Sequence, residues 1–337
     1  MIGRTVQVRG SARLSFTLIN LDAASLRRNG IAAMAVQRPG LTVRMRASRG
    51  ATSRVLGVEP ETAADLLAAL ATLEKLWDGP PVTVTVPRPL PQHSGFGSKT
   101  AGLLAVGRAY GALCGHDPAL PQLSEILGRG RTSGASTGLA EFGGFLVDGG
   151  HRNPPDFAAS PATYLRPSRF AQPVPVPKPI VKLPFPPWPV LVLMTNGRHL
   201  GGAEELAWFQ RVTPIPQEQA QRTAQLVFMG LAPAVAEHDY EGFCDAVNEI
   251  TFTSHFKREQ IAFQGRAVED VLTAGRDSTA IDAIALSVTG PACFAFTRTP
   301  EAARGWAQSL MRRGAIRDFW FTEADNCGLT VGHVPHR

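Results

Sequence analysis

Pro89–Leu113 reads PLPQHSGFGSKTAGLLAVGRAYGAL. A proline-bounded, turn-rich segment carrying Gly95, Gly97, Ser98, Lys99 and Thr100 opens directly into an apolar stretch. Ala101, Leu104, Ala105, Arg108 and Ala112 recur near a 3.6-residue period without an internal proline, and Gly115 supplies a stop. A helix starting near Ser98 is therefore predicted. Its first N–H groups have no partner within the helix and carry partial positive charge. Glycines ahead of it let a ligand approach the backbone. The stretch has the form of an anion-holding loop. It is not a Walker A loop, because Ser98 separates Gly97 from Lys99, and it lacks the dinucleotide pattern GxGxxG. A plain loop capped by Ser98 fits these residues equally well.

Outward from the loop, strand-like and helical patterns mix without a repeated βαβ unit. TVQVRG, ARLSFTLI and LTVRMRA read as short strands, residues 61–77 as a helix and PVTVTVP as a period-two strand. A helix near 120–128 precedes the Gly/Ser/Thr-rich GRGRTSGASTG and the strand FGGFLVDGG. Eight prolines fall within the 17 residues from Pro173 to Pro189, which excludes a central strand and marks a crossing between lobes. Beyond it come the strand PVLVLM, helices over 217–236 and 240–250, the short helix VEDVLTAG, the strand PACFAFT, a helix over 300–313, and the strands IRDFWFTEA and NCGLTV. The order is α+β. Residues 1–172 form a first lobe with the glycine loop, 173–189 the crossing, and 190–337 a second lobe whose ending suggests a ferredoxin-like arrangement.

A chain of 337 residues buries a large core. With 44% hydrophobic and 18% charged residues the composition is globular. The net charge of +6 suits anionic partners, but the basic residues are dispersed: Arg44, Arg46, Arg49 and Arg54, then Arg129 and Arg131. No RNA-recognition signature, zinc finger or basic helix is present, so nucleic acid is not the expected partner. Cys114, Cys244, Cys293 and Cys327 form no CxxC pair and read as buried free thiols of a cytoplasmic protein. The opening MIGRTVQVRG has no apolar signal core, and no apolar run reaches the ~20 residues of a membrane helix. His333 and His336 read as part of a tail rather than as metal ligands, and HExxH is absent.

Three stretches taken together resemble the GHMP kinase superfamily in order and spacing: RLSFTLINLD (13–22), the GFGSKT loop and SVTGPACFAF (287–296). More narrowly, LGRGRTSGASTGLAEFGGFLVDGGH (127–151) resembles the signature of β-ribofuranosylaminobenzene 5'-phosphate synthases. VLVLMTNGRHLGGAEELAWF and AQLVFMGLAPAVAEHDYEGFCDAVNEI extend the likeness over nearly the whole chain. The resemblance implies a two-lobed GHMP-like fold and a reaction between phosphoribosyl pyrophosphate and an aromatic carboxylate. Ribose C1 joins the ring carbon that bore the carboxylate, and pyrophosphate and CO2 leave. Mg2+ on the phosphate oxygens is the implied cofactor.

One stretch departs from the family pattern. Leu286, Ser287, Val288, Thr289, Gly290 and Pro291 stand where the family commonly has Gln-Ser-Ser-Trp-Gly-Pro, and SFTLINLD replaces a His-Phe-Gly pattern followed by Ile-Asp-Leu. The departure points away from 4-aminobenzoate or 4-hydroxybenzoate, the acceptors of a methanopterin-type pathway. It points toward the formycin and pyrazofurin type of C-nucleoside synthase, with 4-amino-pyrazole-3,5-dicarboxylate as acceptor.

The resemblance sets the expected roles. Gly95, Gly97, Ser98, Lys99 and Thr100 cradle phosphate. Arg129, Arg131, Thr132, Ser133, Ser136 and Thr137 form a second anion site, Arg being suited to bidentate contact. Arg13, Ser15 and Thr17 are expected on one strand face, where with Lys99 and Arg131 they serve the reaction. Ser287, Thr289, Gly290, His151 and Glu205 border the acceptor, Glu205 being equally a partner of the ribose hydroxyls or a helix cap. Asp148 is the candidate metal ligand. A homodimer is compatible with all of this. A GHMP-type small-molecule kinase and a non-enzymatic ligand-binding protein remain rival readings; the first is opposed by Lys99 and Thr100, where kinases usually carry Gly-Leu-Gly-Ser-Ser. RNA modification, a third rival, lacks a recognisable catalytic Asp motif here.

Overall fold

The computed structural model describes residues 5–48, 50–198 and 202–334. Arg49 and His336 lie outside them. The chain opens with a long antiparallel hairpin of β1 (Thr5–Asn20) and β2 (Arg27–Ala47). TVQVRG and ARLSFTLI, which read as separate strands, are one. The irregularity falls instead on β2, where Ser11 pairs with Gly40 while Ala12 pairs with Val36. Even-numbered residues from Val6 to Phe16 are buried in the core, apart from Gly10. β3 (Arg54–Leu56) leads to α1 (Pro60–Trp77), which starts on a proline whose missing N–H is not needed there. β4 (Val82–Arg88) pairs with both β2 and β3. The glycine loop then enters α2 (Ser98–Cys114), whose middle is buried on all sides.

α3 (Leu120–Ile126) and α4 (Ala135–Phe142) follow. The sequence showed no sign of α4, because Gly, Ser and Thr crowd its start. β5 (Phe145–Asp148) and β6 (His151–Arg152) pair with the far end of β2. After α5 (Pro161–Tyr164), the proline-rich crossing contributes β7 (Pro179–Leu183), paired with β5 alone. Proline is tolerated at such an edge.

β8 (Val190–Thr195) begins the second sheet, and six helices come next. They are α6 (Gly202–Val212), α7 (Gln217–Leu226), α8 (Ala232–Glu237), α9 (Tyr240–Thr253), α10 (His255–Gln264) and α11 (Arg266–Arg276), with a π-helical stretch over Val227–Leu231 joining α7 to α8. β9 (Ala283–Leu286), β10 (Ala292–Phe296), α12 (Pro300–Arg312), β11 (Ile316–Thr322) and β12 (Thr330–Val334) complete the chain. The second sheet has the order β11-β8-β10-β9 with every pairing antiparallel. Counted along the chain this is 4-1-3-2, the ferredoxin-like order. β12 leaves it and pairs with β1 in the first sheet, running β12-β1-β2-β4-β3.

The two sheets share one core. Phe16 on β1 stands 5.9 Å from Phe145, 5.8 Å from Phe243, 5.4 Å from Phe294 and 6.4 Å from Phe296, ring centre to ring centre. Only Cys244 and Cys293 are buried; Cys114 is half-buried and Cys327 exposed, against the expectation of four buried thiols.

Candidate active site

The glycine loop delivers a helix start without a cap. Gly97, not Ser98, is the N-cap; it lies in the left-handed region at φ 69° and offers no side chain to the first-turn N–H groups. The Ser98 hydroxyl donates to Gln92 Oε1 at 2.9 Å, bracing the loop. A Cβ on Gly97 would stand 2.9 Å from Ser136 Oγ, and one on Gly95, at φ 93°, would drive into the Ser287 carbonyl oxygen. The loop is therefore pressed between β1, α4 and the β9–β10 turn.

Hydrogen bonds fix that seam. Arg13 N–H donates to the Phe96 carbonyl at 3.0 Å. Ser15 N–H donates to Ser287 Oγ at 3.1 Å, and Ser287 Oγ donates to the Gly95 carbonyl at 2.9 Å. Gly290 packs on the Ser94–Gly95 backbone. Arg13 and Ser15 share a face with their partners Ala35 and Ala33, which pack with Ala135 and Leu139 of α4. Thr17 does not join them. A register shift between Ser15 and Thr17 pairs Thr17 with Ala32, which belongs to the main core, and the Thr17 hydroxyl donates to the Leu18 carbonyl. The expectation of one shared face assumed an unbroken strand; a bulge reverses the phase.

Arg13 and Arg129 reach this seam, and Arg131 stands next to Arg129. Arg13 Nη1 donates to Ser136 Oγ at 2.9 Å, Arg129 Nε donates to Thr100 Oγ1 at 3.0 Å, and Arg131 Nη1 donates to the Ala171 carbonyl at 3.4 Å. The Nε atoms of Arg13 and Arg131 are buried with no hydrogen-bond partner. Burial, and next to it the charge of Arg129, lowers Arg13 to about 10. Burial and then Arg131 lower Arg129. Each cation disfavours its neighbour, so the group is short of negative charge. Asp148 offsets it only in part. It is fully buried, its Oδ2 accepts from Gly134 N–H at 2.9 Å and its Oδ1 from Gly150 N–H at 2.8 Å. Burial raises it to about 6 against the pull of those two N–H groups, Ser133 and Arg13. With both oxygens engaged, Asp148 clamps the segment before α4. Among the described residues no group of three or more His, Cys, Asp or Glu side chains is placed to hold a metal ion.

The remaining expected residues separate. Lys99 turns outward and pairs with Asp65 of α1 at 2.7 Å. Thr137 meets Ser124 at 2.8 Å in the interior, and Ser133 Oγ accepts from Ala135 N–H at 3.1 Å. Thr132 is half-buried in the same loop. His151 is buried beneath that loop, against backbone of Gly130 and Pro175; burial, then the charge of Arg28, lowers it to about 4. It supports the arginine loop rather than the seam at Ser287. Glu205 lies on α6, one turn before Trp208, and burial raises it to about 7. Two residues escaped the sequence reading. Lys257 of α10 is wholly buried and its Nζ donates to the Leu286 carbonyl at 2.9 Å. Gln264 of the same helix donates to the Thr289 carbonyl. Together they hold the 286–290 turn from behind. Their common phase with the buried Phe256 and Gln260 was the available signal.

Comparison with known proteins places the chain. It is 30% identical over 332 residues to the β-ribofuranosylphenol 5'-phosphate synthase of Archaeoglobus fulgidus, covering 98% of each chain. It is 31% identical to the enzyme of the same name from Methanothermobacter thermautotrophicus, covering 90% of this chain and 93% of that one. The chain belongs to the β-ribofuranosylphenol 5'-phosphate synthase family. No family model matches it. Among solved structures it resembles homoserine kinase from Cytophaga hutchinsonii (TM-score 0.64, 18% identity, 97% of both chains). It also resembles phosphomevalonate kinase from Streptococcus pneumoniae (TM-score 0.65, 11% identity, 96% of this chain and 100% of that one). Mevalonate diphosphate decarboxylase from Enterococcus faecalis is similar too (TM-score 0.65, 11% identity, 98% and 99%). The fold is that of the GHMP kinases. No described helix is long and apolar enough to cross a membrane.

Proposed function

We propose that this protein is a decarboxylating C-riboside synthase that joins C1 of phosphoribosyl pyrophosphate to a ring carbon of an aromatic acid. The observation that carries this reading is the meeting of Arg13 and Arg129 at an uncapped helix start, with Arg131 next to Arg129 and two buried guanidinium Nε atoms left unpartnered. Such a site is made for a substrate with several phosphate groups. The C1–O bond breaks and its electron pair leaves with pyrophosphate. The ring carbon bearing the carboxylate attacks C1, and the C–carboxylate bond then breaks, its pair restoring aromaticity as CO2 departs. No strong general base is required. Catalysis consists of stabilising charge on the leaving group and aligning the two reactants. Arg13, Arg129, Arg131 and the first-turn N–H groups of α2 are assigned to the pyrophosphate. Ser287 and Gly290, fastened to the glycine loop, are assigned to the boundary between the two substrates. Among the described residues no three His, Cys, Asp or Glu side chains gather to hold an ion by themselves; Mg2+ is proposed to come with the phosphates, and no step is drawn through it.

A para-hydroxylated benzoate is the acceptor that the relatives' name, a ribofuranosylphenol phosphate synthase, best supports. A second reading, 4-amino-pyrazole-3,5-dicarboxylate, rests on the Leu286–Pro291 turn. There Leu286, Val288 and Thr289 stand where the family pattern has Gln, Ser and Trp, while Ser287 is kept and its hydroxyl is spent on the seam. The purified protein would be incubated with phosphoribosyl pyrophosphate, Mg2+ and each acceptor separately, following pyrophosphate, CO2 and product mass. Coupled release with a benzoate supports the first acceptor and with the pyrazole alone the second. No release in any tube, together with no binding of phosphoribosyl pyrophosphate, would sink the synthase and revive the kinase reading.

A further inference from the structure

A groove of about 460 Å3 lies on the first sheet beyond the candidate active site. Its floor is the outer face of strands whose other face is core: Val6, Val8, Val43 and Val84 point inward. Thr330, Arg9, Thr42 and Arg88 form one row across β12, β1, β2 and β4. Gln7 and Arg44 form part of the next row, joined by a bond from Arg44 Nε to Gln7 Oε1 at 2.9 Å. Arg9 and Arg88 are thus two strands apart, about 10 Å at the backbone. Among the described residues, none of the three arginines has a carboxylate within ion-pair distance. Asp325 is the one acidic residue of the lining, and its Oδ1 accepts from Cys327 N–H at 2.9 Å. Arg9 and Arg88 share one row, with Arg44 in the next row on the strand between them, so uncompensated positive charge gathers on this face.

We propose that this groove is a second anion site, taking a small molecule with two or more linked phosphate groups. A single phosphate reaches one guanidinium, whereas a chain of phosphates spans the row from Arg9 to Arg88. The volume falls among small-molecule sites, and the 325–330 segment walls the groove, which favours a compact ligand over a polymer. Arg9 precedes Arg13 by four residues on the same outer face of β1, so an occupant lies along the strand that carries the active-site arginine.

Calorimetric titration at low salt with ATP and, separately, inorganic pyrophosphate tests this on the full chain, beside R9Q/R44Q/R88Q and R129Q/R131Q. Because the three groove arginines are exposed, the triple variant is expected to melt with the wild type. Two sites are expected in the wild type. The groove variant should lose one by about 30-fold or more in affinity, and the loop variant the other. Pyrophosphate bound at the groove assigns recognition to the phosphate chain; ATP alone assigns part of it to the nucleoside. Unchanged binding by R9Q/R44Q/R88Q, or a single wild-type site lost in R129Q/R131Q, overturns the proposal. So does single-stranded RNA bound in the groove about 100-fold tighter than ATP, a preference worth ~2.7 kcal/mol.

Discussion

Two clusters of three arginines flank β1, and they are built to different standards. Arg13, Arg129 and Arg131 are half-buried and held by Ser136, Thr100 and the Ala171 carbonyl, with Arg13 and Arg129 at a helix start. Arg9, Arg44 and Arg88 stand exposed on an open sheet face, and among the described residues Gln7 is the one side chain bonded to any of them. The difference is in how much water remains. In the first cluster desolvation would strengthen a contact to an anion and fix its geometry; in the second, salt and solvent would screen it. Proximity of positive charge alone does not make a catalytic site. Partial burial with unsatisfied donors is what singles out the cluster proposed to act on substrate.

Substituting one arginine in each cluster is the most severe test of that contrast. Arg13→Met removes a half-buried cation and releases Ser136, and kcat/KM for phosphoribosyl pyrophosphate should fall by about 10^3. Arg9→Met should change it by less than about 2-fold, since exposed charges contribute little. Pyrophosphate release measures both. Equal losses would break the distinction between the clusters.

Next in size are changes to the supports beneath the buried cluster. Gly95→Ala adds a Cβ against the Ser287 carbonyl at φ 93°, and should cost about 2–4 kcal/mol in denaturant unfolding. Gly10, on the open side, would only displace the Leu329 side chain, so Gly10→Ala should cost about 1 kcal/mol or less. His151 adds a pH dependence beneath the buried cluster. It binds its proton near 6.5 in the unfolded chain and near 4 in the folded one. Its neutral form is therefore favoured on folding, and stability is lost as pH falls through that window. Asp148 and Glu205 titrate in the same range but are common to wild type and His151→Gln, so they cancel in the difference. Between pH 7 and 4 the stability difference between the two proteins should shift toward the variant by up to ~3 kcal/mol. A difference flat with pH would remove His151 from beneath the loop.

What could be read in the sequence was local. The glycine loop and α2 are coded within 25 consecutive residues, and the 127–151 signature is contiguous. The strand phase at Thr17 was not legible, because a bulge is decided by the partner strand. α10 was missed because Lys257, Gln260 and Gln264 occupy its buried face and invert the usual apolar stripe. The backbone N–H groups of Gly134 and Gly150 that Asp148 accepts from are brought to it by folding, and no local pattern shows them. β12 was assigned to the second lobe because nothing in NCGLTV shows which sheet edge it will join.

Lys99 gives the smallest expected effect and the finest division between the clusters. By spacing it belongs to the phosphate cradle, yet it is the second residue of α2 and its ammonium lies on Asp65, outside the buried group. An exposed pair of this kind contributes about 0.5 kcal/mol or less. Lys99→Gln should accordingly leave the melting transition in place and lower kcat/KM by less than about 3-fold. Asp65→Asn separates the two ways this could go wrong. If Lys99 leaves Asp65 to meet pyrophosphate, freeing it would raise affinity for phosphoribosyl pyrophosphate, while Lys99→Gln would cost about 100-fold. If it stays, the two variants would behave alike. The second outcome confines the working cations to the three that folding half-buries.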